Sequence, residues 1–274
     1  MAKKNVDRGV FTLKERTYIT PHYIRITLQG EDTTKFSQTT IGVNNKIFLA
    51  PEGCDTVHFP QFDFEKGQWV PMEEALRPSI RTYTHRGINL ELKELYVDFV
   101  AHGDEGPASK WAMKAPIGAK LGVAMGIETT LLYPEADRYI LIGDATALPV
   151  LGAILEDLPA KAKVKAFIEV ETAEDIQLLE TKADAQIEWI INPTPGQNTK
   201  LAEKALVYLE QEGEMPSKFA YVAAEFSTVK ILRNFLRKEK NWTKDELYAY
   251  SYWKFGKAEN VSEEDRRAEK ASMD

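Results

Sequence analysis

The chain has 274 residues, 43% apolar and 28% charged, with a formal net charge of −7; this is long enough to bury one large core or two ordinary ones, and the acidic balance argues against general nucleic-acid binding. The single cysteine, Cys54, permits no internal disulfide and excludes a cysteine-ligated cluster, and the four histidines, His22, His58, His85 and His102, share no ligand spacing, so no metal site is expected. No apolar run approaches the ~18 residues of a membrane span, and residues 1–8 carry basic side chains with no apolar stretch behind them, so neither membrane insertion nor a secretory leader is expected.

Up to about Leu132 the chain reads as short alternating segments broken by turn residues. Strands are predicted over 10–18, 22–28, 46–49, 80–85, 95–101 and 120–124, and their spacing suggests a small antiparallel barrel. In the clearest segment Leu95, Val97, Phe99 and Ala101 share one face, with Tyr96, Asp98 and His102 on the other. Residues 54–79 form a long insertion rich in aromatics, proline and charge, the kind of loop that is usually functional or mobile.

Beyond Leu132 strand and helix alternate. Strands are predicted at 139–143, 164–170, 187–191, 219–224 and 247–252, with helices at 146–158, 173–179, 199–211 and 228–240. That order builds a doubly wound, mostly parallel sheet. The expected division is a barrel over 1–132, an α/β domain over 133–257 and a charged tail over 258–274. In the tail, Ser262-Glu263-Glu264-Asp265 resembles a helix-start box. A barrel followed by a parallel α/β domain commonly divides its work: the first part holds a flavin, the second receives a nicotinamide or substrate at its strand ends.

Four stretches could carry chemistry. Arg81-Thr82-Tyr83-Thr84 offers a guanidinium fork for phosphate oxygens, an aromatic face and hydroxyls, a set that suits a flavin dinucleotide; alone, it also reads as an exposed strand with a surface arginine. In His102-Gly103-Asp104-Glu105-Gly106-Pro107-Ala108-Ser109, Pro107 fits the first helical position. The N–H groups of Ala108 and Ser109 then make a positive helix end suited to a pyrophosphate, the Ser109 hydroxyl adds a donor, and Gly106 permits close approach. An ordinary capped helix start is the alternative. Gly143-Asp144-Ala145-Thr146-Ala147-Leu148-Pro149 takes the place of a dinucleotide fingerprint with only one glycine. Thr146 faces the cleft there, or else Asp144 or Thr146 simply caps the helix. Tyr250-Ser251-Tyr252-Trp253 ends the last strand, where aromatics either cover a flavin ring or fill the core.

These stretches, with Asp98-Phe99-Val100-Ala101-His102-Gly103, Tyr221-Val222-Ala223-Ala224-Glu225 and Tyr252-Trp253-Lys254, resemble the siderophore-interacting protein family in content and order, from about Arg8 to Gly256. The resemblance implies a ferredoxin-NADP reductase-like fold: an FAD-binding β-barrel, then a nicotinamide-type α/β domain. It implies non-covalent FAD held by Arg81, Thr82, Tyr83, Thr84, Asp98, His102, Gly106, Ala108 and Ser109, with Thr146 and Trp253 beside the isoalloxazine. It further implies an enzyme that passes electrons from NAD(P)H or a ferredoxin to Fe(III) in a ferric siderophore, and an anionic siderophore is expected to meet Lys46 and Lys254, with Lys257 as a third basic residue; a cytoplasmic location is the default reading of the composition. Ala145 departs from the family's usual glutamate, which bears on the electron donor. Two other readings are a general flavin reductase with another acceptor and a non-catalytic siderophore-binding protein.

Overall fold

The computed structural model describes residues 5–104, 106–213 and 216–257, so the 258–274 tail, including the helix expected at Ser262, lies outside the described residues. The chain divides into two compact units, one running to Thr130 and the other beginning at Leu131.

The first unit is a curled antiparallel sheet. Its strands are β1 (Val6–Thr20), β2 (Tyr23–Gln29), β3 (Asn44–Leu49), β6 (Ser79–Thr84), β7 (Gly87–Asn89), β8 (Glu94–Val100) and β9 (Lys120–Gly126), in the spatial order β6-β3-β9-β1-β2-β8-β7. A two-stranded hairpin of β4 (Phe62–Asp63) and β5 (Gln68–Trp69) stands in the long insertion. Period-2 alternation builds the core: Phe11 and Leu13, Ile24, Ile26 and Leu28, Ile47 and Leu49, Leu95, Val97 and Phe99, and Leu121 and Val123 all turn to one buried cluster. Helix α1 (Pro107–Lys114) adds Ala108 and Ala112 to it. β1 pairs with β9 through Thr12 and with β2 from Thr12 onward, its register shifting between Leu13 and Glu15 and again between Tyr18 and Thr20. Such bulges bend a long strand so that it can serve two neighbours. The ladder does not close, because the edge strands β6 and β7 are consecutive in sequence yet unpaired with each other among the described residues. The expected barrel is therefore a half-barrel. β7 went unpredicted because three residues are too few to show an alternation.

The second unit is a parallel sheet of β10 (Arg138–Asp144), β11 (Lys163–Val170), β12 (Asp184–Ile191), β13 (Lys218–Glu225) and β14 (Leu247–Trp253), ordered β12-β11-β10-β13-β14. Helices cover both faces. Ile140 and Ile142 share a cluster with Leu201, Ala205 and Leu209 of α3 (Lys200–Gln211) and with Val229 and Leu232 of α4 (Phe226–Asn234). Gly143 turns to the other face, towards α2 (Leu148–Asp157), where an added Cβ would stand 2.6 Å from Cβ of Ala147 and 2.9 Å from Leu151.

Two predicted helices change. The segment expected to be helical over 173–179 makes only the short turn Ala173–Asp175. Its capping box, with Thr172 and Asp175 bonded reciprocally, is complete. The apolar residues that follow find no core: Ile176 is 44% and Leu178 84% exposed, and so short a helix has no stability without a buried face. The helix expected over 228–240 begins earlier, because Glu225 caps it by accepting from Ser227 N, and it passes into a widened turn over Phe235–Glu239.

Candidate functional site

In the half-barrel, β6 sets the predicted motif by simple alternation. Arg81 and Tyr83 stand opposite Ile47 and Asn45 of β3, on the core-facing side, while Thr82 stands opposite Lys46 on the other. Tyr83 packs on the core with its ring centroid 4.3 Å from that of Phe99. The Arg81 guanidinium donates to its neighbour's carbonyl, Ile80 O, at 2.8 Å, and among the described residues no carboxylate engages it. Thr82 is exposed and accepts from Lys46 Nζ at 2.5 Å, whereas Thr84 is buried. The four motif residues are thus split, Arg81 and Tyr83 on one face, Thr82 and Thr84 on the other.

Among the described residues, Asn45, beside Tyr83, is buried with neither amide atom partnered, and His85 is fully buried with neither ring nitrogen partnered. Burial pushes the His85 imidazole down to about 4, so it is neutral. These two are polar positions that sequence reasoning passed over, and only their place in β3 and directly after β6 could have drawn notice.

Asp98 is fully committed within the protein. Its carboxylate takes a fork from Arg25 at 2.8 Å on each oxygen, the Tyr23 hydroxyl at 2.9 Å and the Arg86 guanidinium at 3.6 Å. Burial first, then the Asp98 charge, raises the Tyr23 hydroxyl well above its ordinary value, so it remains a donor. Asp98 therefore anchors the end of β8, from which the His102 loop leaves, and of the face predicted to be polar only Asp98 is fully buried, through this ion pair.

That loop leads into α1. Gly106 takes the N-cap position with no side chain bonded there, and Pro107 follows. The N–H groups of Ala108 and Ser109 belong to the first turn, where a helix offers no partner of its own. The Ser109 hydroxyl accepts from His102 N at 3.1 Å. His102 is exposed, and its ring lies against Gly106, where an added Cβ would come 2.9 Å from Cε1. An arginine with no acidic partner among the described residues, an aromatic face on the same side of the sheet and a helix start with no side-chain cap among those residues fit a flavin that carries a pyrophosphate.

In the α/β unit the predicted residues converge on Asp144. Its Oδ1 accepts from Thr146 N at 2.9 Å and Thr146 Oγ1 at 2.5 Å. Its Oδ2 accepts from Glu225 N at 2.8 Å and from the Trp253 indole at 2.7 Å. Even with these donors, burial raises the Asp144 carboxyl above its usual range. Glu169 stands beside Asp144 in register on β11. Burial and the charges of Asp144 and Glu225 outweigh an Asn192 hydrogen bond and raise Glu169 to about 7. The tyrosines of the last strand pack internally: Tyr248 stacks on Tyr221 at 4.3 Å, and the Tyr252 hydroxyl lies 3.3 Å from that of Tyr221. Lys254 is half-buried with Nζ 4.4 Å from the Phe226 ring centroid, and Lys257 is exposed. Among the described residues, no cluster of His, Cys, Asp and Glu could hold a metal ion, and no helix is long and apolar enough to cross a membrane.

An open antiparallel half-barrel followed by a helix-covered parallel sheet is the architecture of the ferredoxin-NADP reductase class. A reductase of that class from Neisseria gonorrhoeae, solved with FAD and NADP, matches with a TM-score of 0.60 over 89% of this chain and 98% of that one, at 11% identity; this shows the fold. The model of the siderophore-interacting FAD-binding domain matches residues 12–126, and that of the siderophore-interacting protein matches residues 136–256. The chain belongs to the siderophore-interacting protein family. It is 33% identical to the ferric vibriobactin reductase ViuB of Vibrio cholerae over 92% of this chain and 91% of that one. Two solved relatives each align with a TM-score of 0.80: SipS of Aeromonas hydrophila, 27% identical over 95% of this chain and 97% of that one, and a siderophore utilization protein from T. fusca, 28% identical over 93% and 96%.

Proposed function

We propose that this protein reduces Fe(III) held in a ferric siderophore to Fe(II) through bound FAD, with electrons from NAD(P)H or a reduced ferredoxin. The observation that carries the reading is the Arg81–Tyr83 pair on one face of β6, its guanidinium engaged by no described carboxylate, in a chain whose relatives include a ferric vibriobactin reductase. FAD, when bound, supplies the redox chemistry: it accepts electrons and delivers them singly to iron. The protein's residues bind and orient. Arg81 neutralises phosphate charge with a planar fork, Tyr83 presents a ring face, and the first turn of α1 offers Ala108 and Ser109 N–H to an anion. Asp98 positions the strand that carries the His102 loop. Each Fe(III) takes one electron, so one hydride serves two ferric ions. Fe(II), with its lower charge density, is held far more weakly by oxygen-rich chelators and is released.

The test is direct. The purified protein is expected to be yellow, with FAD released intact on denaturation. After anaerobic reduction, ferric siderophore is expected to reoxidise the flavin as Fe(II) appears in a ferrous-specific chelator, one ion per electron. A colourless protein that takes up no FAD overturns the reading, and reoxidation by quinones but not by ferric chelates moves it to another acceptor.

A further inference from the structure

Open α/β sheets receive ligands outside the carboxyl ends of their strands, where the strand order reverses. Here that point lies between β10 and β13, since β11 and β12 extend to one side of β10 and β14 lies beyond β13. A dinucleotide places its pyrophosphate there, on unpaired N–H groups at the start of the helix after the first strand. In this chain three positions of that turn, Thr146, Leu148 and Pro149, offer no such donor. Thr146 N is taken by the Asp144 carboxylate. Leu148 N is bonded to Ala145 O, and Pro149 has no N–H. The opposite lip repeats the arrangement: Glu225 N donates to Asp144 Oδ2, and the Glu225 carboxylate accepts Ser227 N at 2.5 Å and Phe255 N at 3.2 Å. Asp144 and Glu225 are both buried, and a third buried carboxyl, Glu169, raised to about 7 by burial, stands in register with Asp144 on the neighbouring strand. An incoming pyrophosphate therefore meets protein carboxylates where it needs donors, at a site whose burial strengthens the repulsion.

We infer that Asp144 and Glu225 close this crevice to the pyrophosphate of a nicotinamide dinucleotide by filling its anion-binding donors from within, so that electrons reach the flavin from a one-electron protein carrier of the ferredoxin class. The closure rests on the α/β unit alone, and only its consequence for the donor rests on the reductase reading. A one-electron carrier balances the reaction simply, each reduced carrier accounting for one Fe(III).

The experiment is a titration of the flavin-loaded full chain with NAD+ and with NADP+, followed by backbone amide NMR. Up to about 1 mM, the upper end of ordinary Michaelis constants, the amides of Thr146, Glu225 and Ser227 are expected not to shift. Saturable shifts at these amides overturn the closure. Saturable shifts confined to other amides leave the closure intact and overturn the ferredoxin consequence, as does flavin reduction by NADH or NADPH faster than by reduced ferredoxin. Asp144→Asn and Glu225→Gln each remove one charge, and at least one of them, checked for native folding by circular dichroism, is expected to bind NAD+ at least about tenfold more tightly than the parent. If neither gains affinity, the carboxylates are not what closes the crevice. A preparation without FAD sinks the reductase reading, whereas the amide titration still decides the closure.

Discussion

The Trp253 indole donates to Asp144 Oδ2 over 2.7 Å, tying the end of the last strand to the first βα turn across 109 residues of sequence. Gly196 leaves room for this: it sits at φ +73°, and an added Cβ would stand 2.6 Å from the Trp253 ring. Because Asp144 is buried, each donor it loses leaves charge less compensated.

Trp253→Phe keeps an aromatic ring but removes the indole N–H together with part of the bicycle. It is expected to lower stability by about 1–3 kcal/mol, the range for a hydrogen bond to a buried charged group, measured as the shift of the urea midpoint at constant slope. A midpoint equal to the parent's shows that the bond adds nothing to stability.

Arg81→Ala and Asp98→Asn separate a binding residue from a positioning one. Arg81 is half-buried with no carboxylate on it among the described residues, so its loss is expected to weaken FAD binding by about 10- to 100-fold, the cost of one charge-assisted phosphate contact, with little change in the melting temperature of the apoprotein. Asp98 is wholly buried between Arg25, Arg86 and Tyr23. Its replacement removes the buried carboxylate that the Arg25 and Arg86 guanidinium groups share and is expected to cost about 3–5 kcal/mol of stability. Flavin occupancy by absorbance and apoprotein unfolding, run on both variants, check the contrast; equal flavin retention by parent and Arg81→Ala rejects the role of Arg81.

Glu169 supplies a pH signature. Burial raises its folded-state carboxyl to about 7, above the ordinary value of 4.5. The folded state therefore holds the proton more tightly than the unfolded state does. Its contribution is fully present below pH 4.5 and is lost as pH rises through about 7, where the charged form sits in a buried site. Glu169→Gln, which cannot ionise, is expected to gain stability over the parent as pH rises from 5 to 8, and to show no such advantage at pH 4. Parallel melting curves across that range decide it; a difference independent of pH assigns the effect to packing.

The strands were legible because alternation survives burial: Leu95, Val97 and Phe99 declared their face, and the core confirms it. Helix extents were less so. The 173–179 segment has a valid start signal, yet nothing local says that Ile176 and Leu178 lack a surface to bury against. In the candidate site, Arg81 and Tyr83 could be picked out from residue type and spacing. The capping alternative for Asp144 was visible too, since Thr146 follows at the right distance. The rest was not, because the Asp144–Glu225 bond closes over 81 residues and the Asp98–Arg25 fork over 73, and such pairs follow from sheet order, not from any local pattern. The orphaned Asn45 and His85 are hidden for the same reason: what surrounds a strand residue is decided by its neighbours across the sheet.

Capture of an anionic ferric siderophore by a chain of net charge −7 needs local positive charge, since steering follows the nearby field and not the total. Lys46 holds its ammonium 2.5 Å from Thr82 Oγ1, on the face of β6 opposite Arg81 and Tyr83. Lys254 holds its own 4.4 Å from the Phe226 ring centroid, and Lys257 is exposed beyond it. Lys46→Gln and Lys254→Gln are each expected to weaken binding of a trianionic catecholate chelate by about three- to tenfold at low salt, with Lys257→Gln weaker than either. The double variant is expected to lose most of the parent's salt dependence, because the screened attraction is what the substitutions remove. FAD content and donor-driven flavin reduction are expected to stay at parental values, and a neutral ferric hydroxamate is expected to be bound equally by all variants. The readout is the rate of flavin reoxidation against chelate concentration, taken at low and at high salt. If the catecholate curves of the double variant and the parent superimpose at low salt, the siderophore docks away from Lys46 and Lys254.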